Sequence, residues 1–371
     1  MPPTAAPAAR DARPDLKTMD RAELEAFARS VGEPAFRGRQ LFRWLYEKGA
    51  TSFGEMTDLP RALRERLPAL ARIGAIEEVR RQTATDRTVK SLFRLPSGRH
   101  VEAVLIPDLD AATGAAKRLT VCVSSQVGCA MGCHFCATGL MGFQENLTAG
   151  QIVDQVRAMD AVARERFGRG VTNVVYMGMG EPLQNYGPVL KSTALLTEGL
   201  GLSPKRITVS TVGLARRIRQ LADDQAAGAP AFGLAISLHA PTDPQRSAIM
   251  PVNRSEKTDL TALKEAVRYY HQKTGRGVTY EYCVFEGLND TDEDARHLAA
   301  VTRWAPSKVN LIVYNPVEGA PFRSPSEAEL ERFIRALVAQ GVTVTVRRSR
   351  GQDIDAACGQ LAVRESVVSG Q

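Results

Sequence analysis

Apolar and polar positions along this chain recur with two different periods, and the changeover between them divides it. From Asp15 to about Leu70 the spacing is helical: Leu24 and Phe27 lie on a segment that Asp20 can cap, and Phe36, Leu41, Trp44 and Leu45 form a stripe on the next. Between Ile76 and Ile106 the period shortens. Thr88 to Leu95 and Val101 to Ile106 read as strands on either side of a Pro96-Ser-Gly turn, a short antiparallel extension. Beyond Asp108, short apolar runs at 119–124, 173–177, 206–210, 233–237, 279–285, 309–314 and 342–347 read as buried strands. Helical stretches lie between nearly all of them, as at 148–167, 256–273, 292–304 and 326–340, with Thr148, Ser255 and Ser326 as caps. Strands alternating with helices mean a parallel sheet. Six βα units are too few to close an eight-stranded barrel, so the expected fold is α/β: an open (βα)6 partial barrel whose last strand is an addition, preceded by a small helical domain and the β extension. The expected layout is a disordered Ala, Pro and Arg rich leader over 1–14, a helical domain over 15–72, an extension over 73–114, the core over 115–348 and a C-terminal segment over 349–371.

Charge adds a partner class. Forty-eight Lys and Arg against 41 Asp and Glu leave a net charge of +7, which favours a polyanion. Arg37, Arg39, Arg43 and Lys48 of the helical domain read equally as phosphate contacts or as a solvated face. No apolar run approaches the roughly 18 residues that span a bilayer, and the N-terminus lacks the apolar core of a signal peptide. The expectation is a cytoplasmic protein with no membrane contact.

Three of the six cysteines, Cys129, Cys133 and Cys136, stand in a C-x3-C-x2-C pattern. Thiolates suit iron-sulfur clusters and zinc. A [4Fe-4S] cluster usually takes four cysteines, so three would leave one iron open to another ligand. Gly128 and Gly132 let the backbone turn around such a core, and Phe135 offers an aromatic cover. A zinc knuckle completed by Cys122, Cys283 or His134 is the rival, but zinc ligands usually come as two separated pairs. Cys122, just before the loop, and Cys358, in the C-terminal Asp355-Ala-Ala-Cys-Gly, are two further thiols that could act together, whereas Cys283 sits in an apolar strand as a small hydrophobe. Glu102 interrupts the apolar run Val101-Glu-Ala-Val-Leu-Ile106 and would be costly if buried alone, harmless if it faced outward.

The cysteine triplet resembles the signature of the radical S-adenosylmethionine (SAM) enzymes. Together with Cys-Val-Ser-Ser-Gln-Val-Gly-Cys at 122–129, Gly178-Met-Gly-Glu-Pro182, Ser237-Leu-His-Ala-Pro241, Asn315-Pro316 and Arg350-Gly-Gln-Asp-Ile-Asp-Ala-Ala-Cys-Gly359, it makes the chain resemble the RlmN family, bacterial 23S rRNA adenine-C2 methyltransferases, from about Leu16 to about Val363. That resemblance implies a radical SAM core, a [4Fe-4S] cluster on Cys129, Cys133 and Cys136, and two SAM per turnover. It places Gly180 and Glu181 at the methionine end of SAM, where a carboxylate complements an ammonium, and matches Ser210, Ser237, Leu238, His239 and Asn315 to other SAM contacts. His239 reads alternatively as a structural histidine. The family mechanism implies that Cys358 is methylated by one SAM, loses a hydrogen to the 5'-deoxyadenosyl radical from a second and adds its methylene to the base. Glu102 then removes the C2 proton as base, and Cys122 resolves the adduct through a transient disulfide with Cys358. Adenine C2 is a poor nucleophile, which is why radical chemistry is needed. The implied partners are 23S rRNA, tRNA and an electron donor such as flavodoxin or ferredoxin. The alternatives are a Cfr-like methyltransferase acting at C8 and a zinc-stabilised nucleic-acid-binding protein with no turnover.

Overall fold

The computed structural model describes residues 12–255 and 258–363, and the chain divides into two compact units, Met1–Ala75 and Ile76–Gln371. Most of the leader expected over 1–14 lies outside the described residues.

The first unit holds α1 (Arg21–Ser30), α2 (Ala35–Phe42) and α3 (Arg61–Leu70). Asp20 caps α1 reciprocally: its carboxylate accepts the Glu23 N–H at 2.9 Å, and Glu23 accepts the Asp20 N–H at 2.7 Å. Leu24, Phe27, Leu41, Leu45 and Tyr46 are buried together with Leu63 and Leu67. Gly38 lets α2 meet α1, since a Cβ there would lie 2.4 Å from the Glu25 Cα. Phe36 does not join the stripe; it is 43% exposed, with the Arg37 guanidinium stacked on its ring. Arg39 pairs with Glu25 at 3.1 Å, Arg43 lies 3.9 Å from Asp58, and the Lys48 ammonium sits over the Trp44 ring.

The second unit opens with β1 (Glu77–Thr83), β2 (Val89–Arg94), β3 (His100–Leu109) and β4 (Ala116–Cys122), an antiparallel run. After β4 a loop carries β5 (Gln126–Val127), α4 (Ala137–Leu140) and β6 (Glu145–Asn146), with β5 and β6 paired to each other. Then follow α5 (Ala149–Phe167), β7 (Asn173–Tyr176), α6 (Tyr186–Leu200), β8 (Ile207–Thr211), α7 (Ala215–Ala226) and β9 (Gly233–Ser237). The rest is α8 (Asp243–Ile249), α9 (Val252–Ser255), α10 (Leu260–Thr274), β10 (Val278–Val284), α11 (Asp292–Thr302), β11 (Ser307–Val313), α12 (Glu327–Ala339) and β12 (Val344–Arg347). One ten-stranded sheet has the order β1-β2-β3-β4-β7-β8-β9-β10-β11-β12 and is parallel from β4 onward. This is the expected open (βα)6 partial barrel, with β12 as the added strand and β1 to β3 as the antiparallel extension.

Thr148 and Ser326 cap α5 and α12 through capping boxes with Gln151 and Glu329. Ser255 does not cap the next helix. It ends α9, and α10 starts at Leu260 under Asp259, whose carboxylate accepts the Ala262 N–H at 2.8 Å; Glu256 and Lys257, expected in that helix, lie outside the described residues.

Candidate active site

Cys129, Cys133 and Cys136 line a cavity of about 160 Å³ at the C-terminal ends of the parallel strands, where barrel chemistry sits. Gly128 (φ +68°) makes the entry turn; a Cβ there would lie 1.8 Å from the Gly142 carbonyl oxygen, which accepts the Cys129 N–H at 3.1 Å. The Cys136 N–H bonds the Cys133 carbonyl and the His134 N–H the Ile249 carbonyl, so backbone bonds shape the loop. Phe135 packs edge-on against His239, with ring centroids 5.0 Å apart. Burial pushes the Cys129 thiol up to about 12 and raises Cys133 and Cys136 as well. Such thiols ionise when a bound metal supplies the compensating charge. The three thiols stand on the wall of one cavity, a soft donor set. A zinc ion needs its ligands within about 2.3 Å of one point, whereas a cubane takes one thiolate per iron. The donor set fits the cluster.

The strand ends around this cavity hold most of the residues matched to SAM. Gly180 (φ +97°) admits no other residue, because a Cβ would lie 2.5 Å from that of Gln126. The Gln126 amide oxygen accepts the Glu181 N–H at 2.8 Å. Glu181 is buried; its Oε1 accepts the Leu183 N–H at 2.9 Å and its Oε2 the Val212 N–H at 2.8 Å. The carboxylate therefore ties the end of β7 to that of β8, and each oxygen keeps a lone pair for a ligand. Burial lifts it to about 7. The Ser210 and Ser237 hydroxyls lie 3.2 Å apart on the cavity wall. His239 sits in the left-handed region at φ +56°, and its Nδ1 accepts the Cys283 N–H at 3.0 Å, which leaves the ring proton on Nε2. Burial, then Arg246, depresses it to about 3, so the ring is neutral. It is thus structural through one nitrogen and free to donate through the other. Arg246 is fully buried and bonds the Val212 and Thr258 carbonyls and Asn253, fastening the loop after β8 to α8 and α9.

Leu238 and Asn315 do not line this cavity. Leu238 is fully buried and its N–H bonds the Glu281 carbonyl at 3.0 Å. Asn315 donates to the Cys358 carbonyl at 3.2 Å and accepts from Gln352 at 2.9 Å, so its amide holds the C-terminal segment.

Cys358 lines this cavity and also a second one of about 610 Å³ inside the barrel, whose wall includes Cys122, the last residue of β4. Burial, with Cys358 beside it, pushes the Cys122 thiol up to about 12, and Arg347 opposes that rise. Cys283, read as a buried hydrophobe, is buried and lines only the upper cavity.

Glu102 is 1% exposed, which removes the outward-facing alternative. On β3 it lies two residues from Val104, the register partner of Cys122, and so shares that face of the sheet. Its burial is compensated: Lys90 on β2 pairs with Oε1 at 3.0 Å, and the Ala362 N–H donates to Oε2 at 3.1 Å. Lys90 also donates to the Asp355 carbonyl at 3.2 Å, so the pair clamps the segment that carries Cys358. Burial raises the Glu102 carboxyl and Lys90 opposes it. Lys90→Met should therefore cost about 3 kcal/mol or more, as expected when one partner of a buried pair is removed. Because the carboxyl then titrates higher still, the loss should be absent below its unfolded value and grow as pH rises through the folded one. Urea unfolding at several pH values checks this, and adding Glu102→Gln should restore part of the loss.

Sequence reasoning missed Gln126, Arg347 and Lys90. The available signal was a charged residue inside an apolar strand, Val89-Lys-Ser-Leu-Phe93, the same signal that singled out Glu102.

Residues 14–73 match the Ribosomal RNA large subunit methyltransferase N-terminal domain, and residues 123–299 match the Radical SAM superfamily. The chain is 63% identical over 352 residues to a probable dual-specificity RNA methyltransferase RlmN of Salinibacter ruber, covering 94% of each protein. It is 45% identical to the dual-specificity RNA methyltransferase RlmN of Anaeromyxobacter dehalogenans, over 95% of this chain and 92% of that one. A radical SAM methyltransferase of Sphaerobacter thermophilus, known from a crystal structure, superposes with a TM-score of 0.85 at 44% identity, covering 94% and 99% of the two chains. No helix among the described residues is long and apolar enough to cross a membrane. The chain is a radical SAM RNA methyltransferase that works with a [4Fe-4S] cluster and SAM, and it belongs to the RlmN family of dual-specificity RNA methyltransferases.

Proposed function

We propose that the chain methylates adenine C2 in 23S rRNA, in the peptidyl-transferase region, and in tRNA next to the anticodon, through an S-methylated Cys358. The observation that carries this reading is the position of Cys358, which faces the three cluster cysteines in one cavity and Cys122 in another. When bound, the cluster and two SAM per turnover supply the methyl group and the means to remove a hydrogen from it.

The chain's own residues do the rest. Gly180 and Glu181 receive the methionine end of SAM, while Ser210, Ser237 and the Nε2–H of His239 offer hydrogen bonds to its polar atoms. Asn315 keeps the Cys358 backbone in place. Glu102 takes the C2 proton once the methylene on Cys358 is joined to the ring, on a lone pair that its bonds to Lys90 and Ala362 leave open. The Cys122 thiolate then attacks the sulfur of Cys358; the bond from that sulfur to the methylene breaks, the released carbon takes a proton to become the methyl group, and a Cys122–Cys358 disulfide is left. The basic residues of the first unit contact RNA phosphate, a flavodoxin or ferredoxin donates the electron, and the site of action is the cytoplasm. Each surface pairing of Arg39 and Arg43 is weak enough to yield to phosphate.

Mass spectrometry of nucleosides from RNA treated with the loaded enzyme tests the reading. It should show 2-methyladenosine. Finding 8-methyladenosine alone would make the chain Cfr-like, and finding neither would remove the RNA base as substrate.

A further inference from the structure

Barrel interiors are normally packed with branched apolar side chains, yet this one is hollow and polar. Its lower end is ringed by Asn173, Thr208, Thr279, Lys308 and Thr345, each the first or second residue of β7, β8, β10, β11 or β12. Its upper end holds Cys122 and Arg347, the last residues of β4 and β12, and Cys358. The cavity therefore runs the length of the strands, from exposed Lys308 and Thr345 to the buried Cys122. Its volume of about 610 Å³ is that of a small-molecule site.

The wall has a charge preference. Arg118 and Lys308 at the lower end, with Arg347, Arg348 and Arg350 at and beyond the upper end of β12, outnumber Asp108 and Glu281 on the wall, and Arg118 already pairs with Asp108 at 3.4 Å. Glu281 is 3% exposed; its Oε1 accepts from Asn310 at 3.0 Å, while its buried Oε2 has no hydrogen-bond partner among the described residues. A buried carboxylate oxygen without a donor marks a place for one.

We propose that this cavity is the entrance for a low-molecular-weight anionic thiol that reduces the Cys122–Cys358 disulfide. The inference rests on the resolving role of Cys122 given above. The end of the barrel that carries the cluster cysteines is where SAM and RNA bind, so the far end offers the disulfide a separate approach. One thiolate attacks a sulfur of the disulfide, forming a mixed disulfide and releasing one cysteine thiolate. A second thiolate then forms the free disulfide of the reductant and releases the other cysteine. Two thiols are oxidised, one protein disulfide is reduced, and both cysteines recover protons from water. Arg118 and Lys308 at the lower rim draw the anion in, Arg347 at the upper end draws it on towards the disulfide, and Oε2 of Glu281 accepts from an ammonium or amide of an amino-acid-derived thiol.

The test uses the full-length, cluster-loaded enzyme after one turnover, with the disulfide confirmed by mass spectrometry of a digest. Its reduction is timed with mercaptoethanesulfonate, 2-mercaptoethanol and cysteamine, each rate divided by that on a small open disulfide. The anion should lead the cation by roughly tenfold at low salt, and salt should erase the gap. Lys308→Glu with Arg118→Glu should reverse the order while leaving iron content and SAM cleavage unchanged. Rates blind to charge, an unchanged order in the double variant, or reduction only by a thioredoxin-like protein would each overturn the inference alone. Absence of the disulfide after turnover would sink the resolving role of Cys122 and this inference with it.

Discussion

Cys133→Ala should remove nearly all bound iron and reduce 5'-deoxyadenosine formation to background, and Cys129→Ala or Cys136→Ala should do the same. Three of the four irons would each be held by one thiolate, and two thiolates cannot keep the cluster seated with an iron open to SAM. The loss should be one of metal rather than of fold. The loop is shaped by the Cys129 N–H to Gly142, the Cys136 N–H to Cys133 and the His134 N–H to Ile249, none of which uses a sulfur. Circular dichroism of the apo variants should accordingly match that of the unsubstituted apoprotein. Iron analysis and chromatography of SAM cleavage products check the prediction, and a variant with full iron and undiminished cleavage would remove that cysteine from the ligand set.

What could be read from the chain beforehand was what local pattern governs. Runs such as Gly233 to Ser237 lie buried on both faces, so they are continuously apolar and announce themselves, and Thr148 and Ser326 stand three residues before a Gln and a Glu that complete their capping boxes. Ser255 failed as a cap because Asp259, four residues on, competes for the same role with a better acceptor at the true helix start. Glu102 was ambiguous for a different reason. Strand alternation says which residues share a face but not whether that face is covered, and its cover is a segment some 260 residues away. Lys90 is buried only because Glu102 and the Asp355 carbonyl are there. Asn315 matched a family motif, but no motif shows that its amide also bonds Cys358 and Gln352. The hollow interior was least legible: Thr120, Thr208, Asn310 and Arg347 are unremarkable singly, and the cavity exists only where their strands curve around it.

The second large effect concerns the paired thiols. Cys358→Ala should abolish RNA methylation while the enzyme still binds its cluster and cleaves SAM, because the residue that would carry the methylene is gone. Cys122→Ala should instead stop the reaction one step later. The displacement that frees the RNA needs an attacking thiolate. The barrel places the Cys122 thiol beside Cys358, at the end of β4; burial pushes it up to about 12, Arg347 works against that rise, and the thiol gives up its proton in the attack. Alanine leaves the cavity wall nearly unchanged and removes only the attacker. The direct measurement is a denaturing gel of cluster-loaded Cys122→Ala incubated with SAM, reductant and labelled RNA, followed by mass spectrometry of the nuclease-digested band. A covalent adduct joining Cys358 to an adenine, absent from Cys358→Ala, is the predicted result. Normal turnover by Cys122→Ala, or no adduct while its cluster is intact, would contradict the account.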